Sequence, residues 1–249
     1  MDLVIRTLLQ DFRDGLSLPP GAPRLTWYGP DGERVELSGK VLDNWVAKTA
    51  NFLQDELDAA PGGSIALDLP GHWKSLVLAL GSLNLGLTVR PGSPADDEEL
   101  SGSDLVATAD AALLERAGDV DTQLVAVSLG ALAPRWPGTL PSGVVDYAAE
   151  VRSHGDVFLP WMDPTGRETL LVTGGQAYDD AGLAAFATPT ARGARVLVHA
   201  ADGLGTVLAH CLGSWLAGGS VVLVHDGVAV TDRLLESERV TADSGTPAS

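Results

Sequence analysis

Residues 63–94 read GSIALDLPGHWKSLVLALGSLNLGLTVRPGSP. The run SIALDL is almost continuously apolar, as expected of a strand covered on both faces. Pro70-Gly71 interrupts it, and apolar positions then recur at helical spacing from His72 to Leu85. Gly86 closes that helix, and LTVR (87–90) follows as the next strand. Strand, helix and strand joined by short connections make a parallel βαβ unit.

The same alternation extends in both directions. Upstream, RLTWY and RVEL flank Gly29-Pro30-Asp31-Gly32 and predict a β-hairpin. Ser38 is placed to cap the following helix, whose Val41, Leu42, Trp45, Val46, Phe52, Leu53 and Leu57 form a broad apolar stripe. A further helix is expected over Leu3 to Phe12. Downstream come LVATA, the helix DAALLERA, and QLVAVSL. TLLVT, a helix near Asp179 to Phe186, RVLVHA, a helix near Leu204 to Ala217, SVVLV and a last helix near Asp232 complete the pattern. The expected fold is α/β, a mostly parallel sheet with helices on both faces. Two stretches break the rhythm. The acidic PGSPADDEELSGSD (91–104) reads as solvated surface. APRWPGTLPSG (133–143) reads as a boundary within a single α/β domain over 1–249, joining lobes at 1–132 and 144–249.

The chain has 249 residues, 45% of them apolar, which excludes disorder along its whole length. Its formal charge is −17, with three lysines (Lys40, Lys48, Lys74) and scattered arginines. No basic stripe is present to neutralise phosphates, so nucleic-acid binding is not expected. The single cysteine, Cys211, excludes an internal disulfide and a cysteine-built zinc site. Val196 to Val224 is the most apolar stretch, but His199, Asp202, His210 and five glycines interrupt it, so no membrane insertion is expected. The start, MDLVIRTLLQDF, lacks the basic and apolar regions of a signal peptide. These features predict a soluble, cytoplasmic protein.

Several local patterns carry candidate chemistry. Gly203 and Gly205 open a helix after a strand, and Asp226 ends the next strand, as in a dinucleotide fingerprint. The third position is Leu208 rather than glycine or alanine, which favours a plain βαβ turn. AVSLG (126–130) has the shape of a nucleophile elbow, but Pro134 and Pro137 forbid the helix that must follow, leaving Ser128 a strand-end serine. The histidines 72, 154, 199, 210 and 225 show no zinc spacing and read as structural, so no metal is expected. Asp179 and Asp180 suit a helix start. Of six tryptophans, Trp27, Trp45 and Trp215 read as core, whereas Trp73, Trp136 and Trp161 are placed to line a pocket or an interface.

Glu33 to Ala117 resembles the start of an adenylate-forming enzyme, the superfamily of acyl-CoA synthetases, amino-acid adenylation domains and luciferases. The residues that carry the resemblance are VELSGKVLDNWVAKTANFLQDEL, GSIALDLPGHWKSLVLALGSLNLGLTVRPGSP and SDLVATADAALLERA. They mirror the superfamily's opening helix and its next three strands in order and spacing. ARGARVLVHAADGLGTVLAHCLGSWLAGGSVVLVHDG is similar to the segment after its phosphate loop. The resemblance is to the N-terminal part only, as in a short, half-length actinobacterial branch.

The family's loop S-G-T-T-G-x-P-K cradles ATP phosphates through backbone amides. Laying TLLVT on the family's strand puts that loop at WMDPTGRE, Trp161 to Glu168. Thr165 and Gly166 keep its small polar character. Asp163 and Glu168 add negative charge, and Pro164 removes an amide donor. Two unit charges about 4 Å apart interact by about 4 kcal/mol at an effective dielectric of ~20, so these carboxylates outweigh Arg167. The family's Tyr-Gly-x-Thr-Glu motif, ribose-binding aspartate, hinge arginine and lid lysine match positions beyond Ser249. The resemblance thus implies a non-catalytic binding or interaction module without a cofactor, with a homo-oligomer or protein partner covering surface left by the missing lobe. The alternative is a protein that binds AMP, ATP with magnesium, or an acyl group. Trp161, Thr165, Gly166, Arg167, Thr173, Gly174 and Gly175 would then line its site, and no catalytic residue is assigned.

Overall fold

The structure, a computed structural model, describes residues 21–94, 97–117, 119–130 and 133–245. The helix expected over Leu3 to Phe12 lies outside them. Backbone contacts divide the chain into two compact units. Among the described residues, the first consists of 21–43, Pro70–Leu76 and 181–245; the second is Asn44–Leu69 and Val77–Asp180. Residues 133–143 lie inside the second unit. The division follows the sheets rather than the order of the chain.

The first unit holds a five-stranded sheet, ordered β12-β10-β11-β1-β2. Its strands are β1 (Pro23–Tyr28), β2 (Arg34–Ser38), β10 (Arg195–His199), β11 (Ser220–Val224) and β12 (Ala242–Asp243). β1 and β2 form the expected hairpin, with Trp27 opposite Val35, and every other pairing is parallel. The helix Leu204–Leu216 crosses from β10 to β11 and buries Val207, Leu208, Cys211, Leu212 and Trp215. Leu197, Val222 and Val224 are fully buried, with Tyr28, Leu234, Leu235 and Val240 packed on them.

The second unit holds a seven-stranded sheet, β7-β6-β5-β3-β4-β8-β9. Here β3 is Ser64–Asp68, β4 Thr88–Pro91, β5 Leu105–Thr108, β6 Gln123–Ala126, β7 Val145–Asp146, β8 Leu171–Thr173 and β9 Gln176–Tyr178. All pairs are parallel except β8 with β9. In chain order the α-helices among the described residues are α1 (Gly39–Leu57), α2 (Trp73–Leu85), α3 (Asp97–Ser101), α4 (Ala111–Leu114), α5 (Tyr147–Glu150), α6 (Asp180–Phe186), α7 (Leu204–Leu216) and α8 (Asp232–Ser237). The Ser38 hydroxyl accepts from the N–H of Val41 at 3.4 Å, the cap expected for α1.

The α/β class with mostly parallel sheets is as expected, but the strands belong to two sheets. Local periodicity marks a strand without naming its neighbour, and β1 pairs with β11 nearly the whole chain away. The acidic stretch 91–104 is also more than solvated surface: it contains α3, and Leu100 and Ser103 are buried. Leu100 sits in a core with Ala66, Val106, Leu114, Leu124 and Ala126, against which Trp136 packs. Trp73 is core rather than pocket lining, and Trp45 is only half-buried. No described helix is long and apolar enough to cross a membrane.

Candidate functional site

In the second unit, a cleft of about 240 Å³ opens at the carboxyl ends of β3, β4 and β8. This is where parallel α/β sheets place their ligands. The strand β4 delivers Arg90, in register with Ala66 of β3, and the chain then turns through Pro91, Gly92, Ser93 and Pro94 along the rim. Glu99 of α3 and Val172, Thr173, Gly174 and Gly175 complete the lining. Arg90 is half-buried and makes no ion pair among the described residues. Beside the cleft, the Asp68 carboxylate accepts from the Ser93 hydroxyl and, at 2.6 Å, from the Thr108 hydroxyl. The arrangement offers one guanidinium, one carboxylate and a hydroxyl to a small polar ligand.

Gly174 and Gly175 take φ of +57° and +75° and form the whole connection between β8 and β9, with Thr173 paired to Gln176. A two-residue hairpin with both φ positive is a type I′ turn, which glycine adopts without strain. The sequence reading missed this hairpin, although Gly-Gly between two short apolar runs is its signature.

At the other end of β8, the segment Trp161 to Glu168 folds on its own carboxylate. Glu168 Oε1 accepts from the Thr165 N–H at 2.7 Å and from its hydroxyl at 2.8 Å, and Oε2 accepts from the Arg167 N–H at 3.0 Å. Partial burial pushes the Glu168 pKa up, but the hydrogen bonds outweigh it and hold the carboxylate below its usual range. Gly166, with φ +76°, makes the tight turn possible. The spacing Thr165-x-x-Glu168 is that of a capping box, a signal present in the sequence and not used there.

Of the candidate ligand residues, Thr173, Gly174 and Gly175 therefore line the cleft, whereas Trp161, Thr165, Gly166 and Arg167 do not. Arg90, Ser93 and Glu99 were missed; RPGSP directly after an apolar strand was the available sign.

The first unit brings the alternative dinucleotide residues to one sheet edge. Gly203, with φ +83°, and Gly205 open α7 after β10, and Asp226 follows the neighbouring parallel strand β11. The Asp226 carboxylate is already engaged, 2.9 Å from His225 Nδ1 and 3.1 Å from the Gly227 N–H. Nearby, the Trp27 indole stands edge-on to His72, ring centres 4.6 Å apart, and to His225 at 6.1 Å. Burial first, then the charges of Lys74 and His225, lower the His72 pKa to about 3, so the imidazole is neutral and accepts from the Lys74 N–H at 3.1 Å. Ser128 lies two residues beyond β6, and no described residue from 129 to 143 is helical. Among the described residues no group of three His, Cys, Asp or Glu side chains is placed to hold a metal ion.

No protein-family model matches the chain. It is 36% identical over 241 residues to a TIGR03089 family protein of Mycobacterium tuberculosis, covering 91% of this chain and 93% of that one. Among solved structures it is similar to an acyl-CoA synthetase of Brucella canis, with a TM-score of 0.71, 18% identity, and 95% of this chain and 46% of that one covered. The N-terminal domain of FACL13 from Mycobacterium tuberculosis gives a TM-score of 0.67 and 17% identity over 95% of this chain and 62% of that one. The anthranilate CoA ligase AuaEII, solved with anthranoyl-AMP, gives 0.66 and 14% over 92% and 46%. At such identities the likeness is one of fold, and the chain spans about half the length of the two synthetases. The chain belongs to the TIGR03089 family, and its fold resembles the N-terminal part of the adenylate-forming acyl-CoA synthetases.

Proposed function

We propose that this protein is a binding module on the adenylate-forming fold, with no adenylation chemistry of its own. The observation that carries the reading is the pair of turns bordering β8. One has its N–H groups taken by Glu168, and the other is only two residues long. A phosphate cradle needs a run of converging, unoccupied N–H groups, and neither turn supplies one. Without that cradle, charge developing on a transferring phosphoryl group has no preorganised partner there. The test is ATP–pyrophosphate exchange with magnesium and a panel of fatty, aromatic and amino acids. No exchange above background is expected, and exchange driven by any one acid overturns the reading.

A second reading is favoured by the cleft at Arg90. A guanidinium without an ion pair among the described residues, in a cleft with Thr173 and Gly174, suits the carboxylate or phosphate of an acyl or nucleotide ligand. On this reading AMP, an acyl-CoA or a fatty acid binds saturably and Arg90→Ala weakens it about tenfold or more. Unchanged affinity in that variant removes the cleft from consideration.

A further inference from the structure

Lys48, Asn51 and Gln54 lie three residues apart along one stripe of α1, and each holds the main chain of residues 154–161. The Asn51 amide donates to the carbonyls of Gly155 and Val157, both at 3.0 Å. The Gln54 amide donates to the Leu159 carbonyl at 3.4 Å and accepts from the Trp161 N–H at 2.8 Å. Lys48 donates to the His154 carbonyl and pairs with Asp156 at 2.8 Å. Asn51 and Gln54 are buried, so they depend on this segment for their partners, and its course is fixed.

The apolar side chains of the same segment nevertheless face out. Val157 is 70% exposed, Leu159 73%, Trp161 68% and Met162 57%, while Phe158 and Pro160 between them are half-buried. Four large apolar residues displayed together on a pinned main chain form an interaction surface rather than a fraying loop. Tryptophan and methionine are also enriched where proteins meet.

Charge decides what fits there. Residues 48–60 and 154–167 hold five acids, Asp55, Glu56, Asp58, Asp156 and Asp163, against two cations, Lys48, which pairs with Asp156, and Arg167, with His154 beside Asp55 and Glu56. A second copy would bring the same acids against these, and the whole chain carries −17. We infer that Val157, Leu159, Trp161 and Met162 dock another protein through a segment whose apolar side chains are flanked by lysine or arginine. The inference deepens the binding-module reading, but its test uses no nucleotide, so either can fail alone.

The probe is a fluorescein-labelled synthetic amphipathic peptide of leucine and lysine, followed by anisotropy against the full chain. Saturable binding is expected, weakened by salt. Leu159→Ser with Trp161→Ser should lower the affinity about tenfold or more without moving the melting temperature, because both side chains are exposed. Equal binding to that double variant would mean attraction to net charge alone and overturns the proposal, as does no binding. A sedimentation dimer that dissociates in the double variant also overturns it, by giving the face to a second copy.

Discussion

Replacing Asp180 with asparagine should change how stability depends on pH. Asp180 is the first residue of α6, only 4% exposed, and neither of its carboxyl oxygens has a hydrogen-bond partner among the described residues. Burial, and then the charge of Asp179, raise its pKa from 3.8 to about 6. A carboxyl whose pKa is raised by folding costs nothing below its unfolded value, where both states are protonated. As pH climbs from about 4 to about 6 the unfolded state ionises first, stability falls, and the full cost persists above. Two pH units correspond to about 3 kcal/mol at ~1.4 kcal/mol per unit, a ceiling that local relaxation and water entry reduce to about 1–2. Asparagine keeps the shape and cannot ionise, and its own desolvation cost is the same at every pH. Urea unfolding followed by tryptophan fluorescence, on both proteins, at about pH 4 and about pH 7.5, gives the readout. The variant's stability relative to the parent should rise by about 1–2 kcal/mol between the two. A constant gap would refute the reasoning.

Gly213→Ala would place a Cβ 1.8 Å from the Thr188 carbonyl oxygen, so about 3 kcal/mol or more should be lost in urea unfolding despite alanine's better helix propensity. An unchanged midpoint would contradict the close approach. Glu238, almost fully buried, accepts from Tyr28 Oη at 2.5 Å, from Arg34 Nη2 at 2.9 Å and from Arg195. Burial raises its pKa, but these partners outweigh it and leave it lowered, so its stabilisation is present above the unfolded value and lost as pH falls through the folded one. Glu238→Gln should therefore cost about 2 kcal/mol near neutral pH and less in acid, and a loss independent of pH would argue against the ionic network. Glu168→Ala should speed hydrogen exchange at the N–H groups of Thr165 and Arg167 and cost about 1 kcal/mol. Unaltered exchange at those two amides, read by NMR, would mean the carboxylate does not hold the turn.

The elements that could be read from the sequence were those whose apolar pattern is strong and local. The expected helix from His72 to Leu85 is Trp73–Leu85, and SIALDL and SVVLV are strands. DAALLERA shrinks to the single turn Ala111–Leu114, with Asp110 as its N-cap. What periodicity cannot carry is pairing, so the split into two sheets and the sorting of chain segments into units stayed hidden. Burial of single polar groups was hidden as well: Asp180, His72 and Lys74 are buried, and His72 packs on Trp27, far away in sequence. Within the candidate site, Thr173, Gly174 and Gly175 were legible as a small polar run after a strand. Arg90 was not, because a lone arginine at a strand end gains meaning only when β8 arrives beside β4.

A calorimetric titration of the intact protein with magnesium-ATP tests the central claim most directly, because the claim is that neither turn at β8 can cradle a triphosphate. No saturable heat is predicted across the range up to millimolar ligand. Micromolar binding, abolished by substitution in either turn, would contradict the account and restore a nucleotide site to this fold.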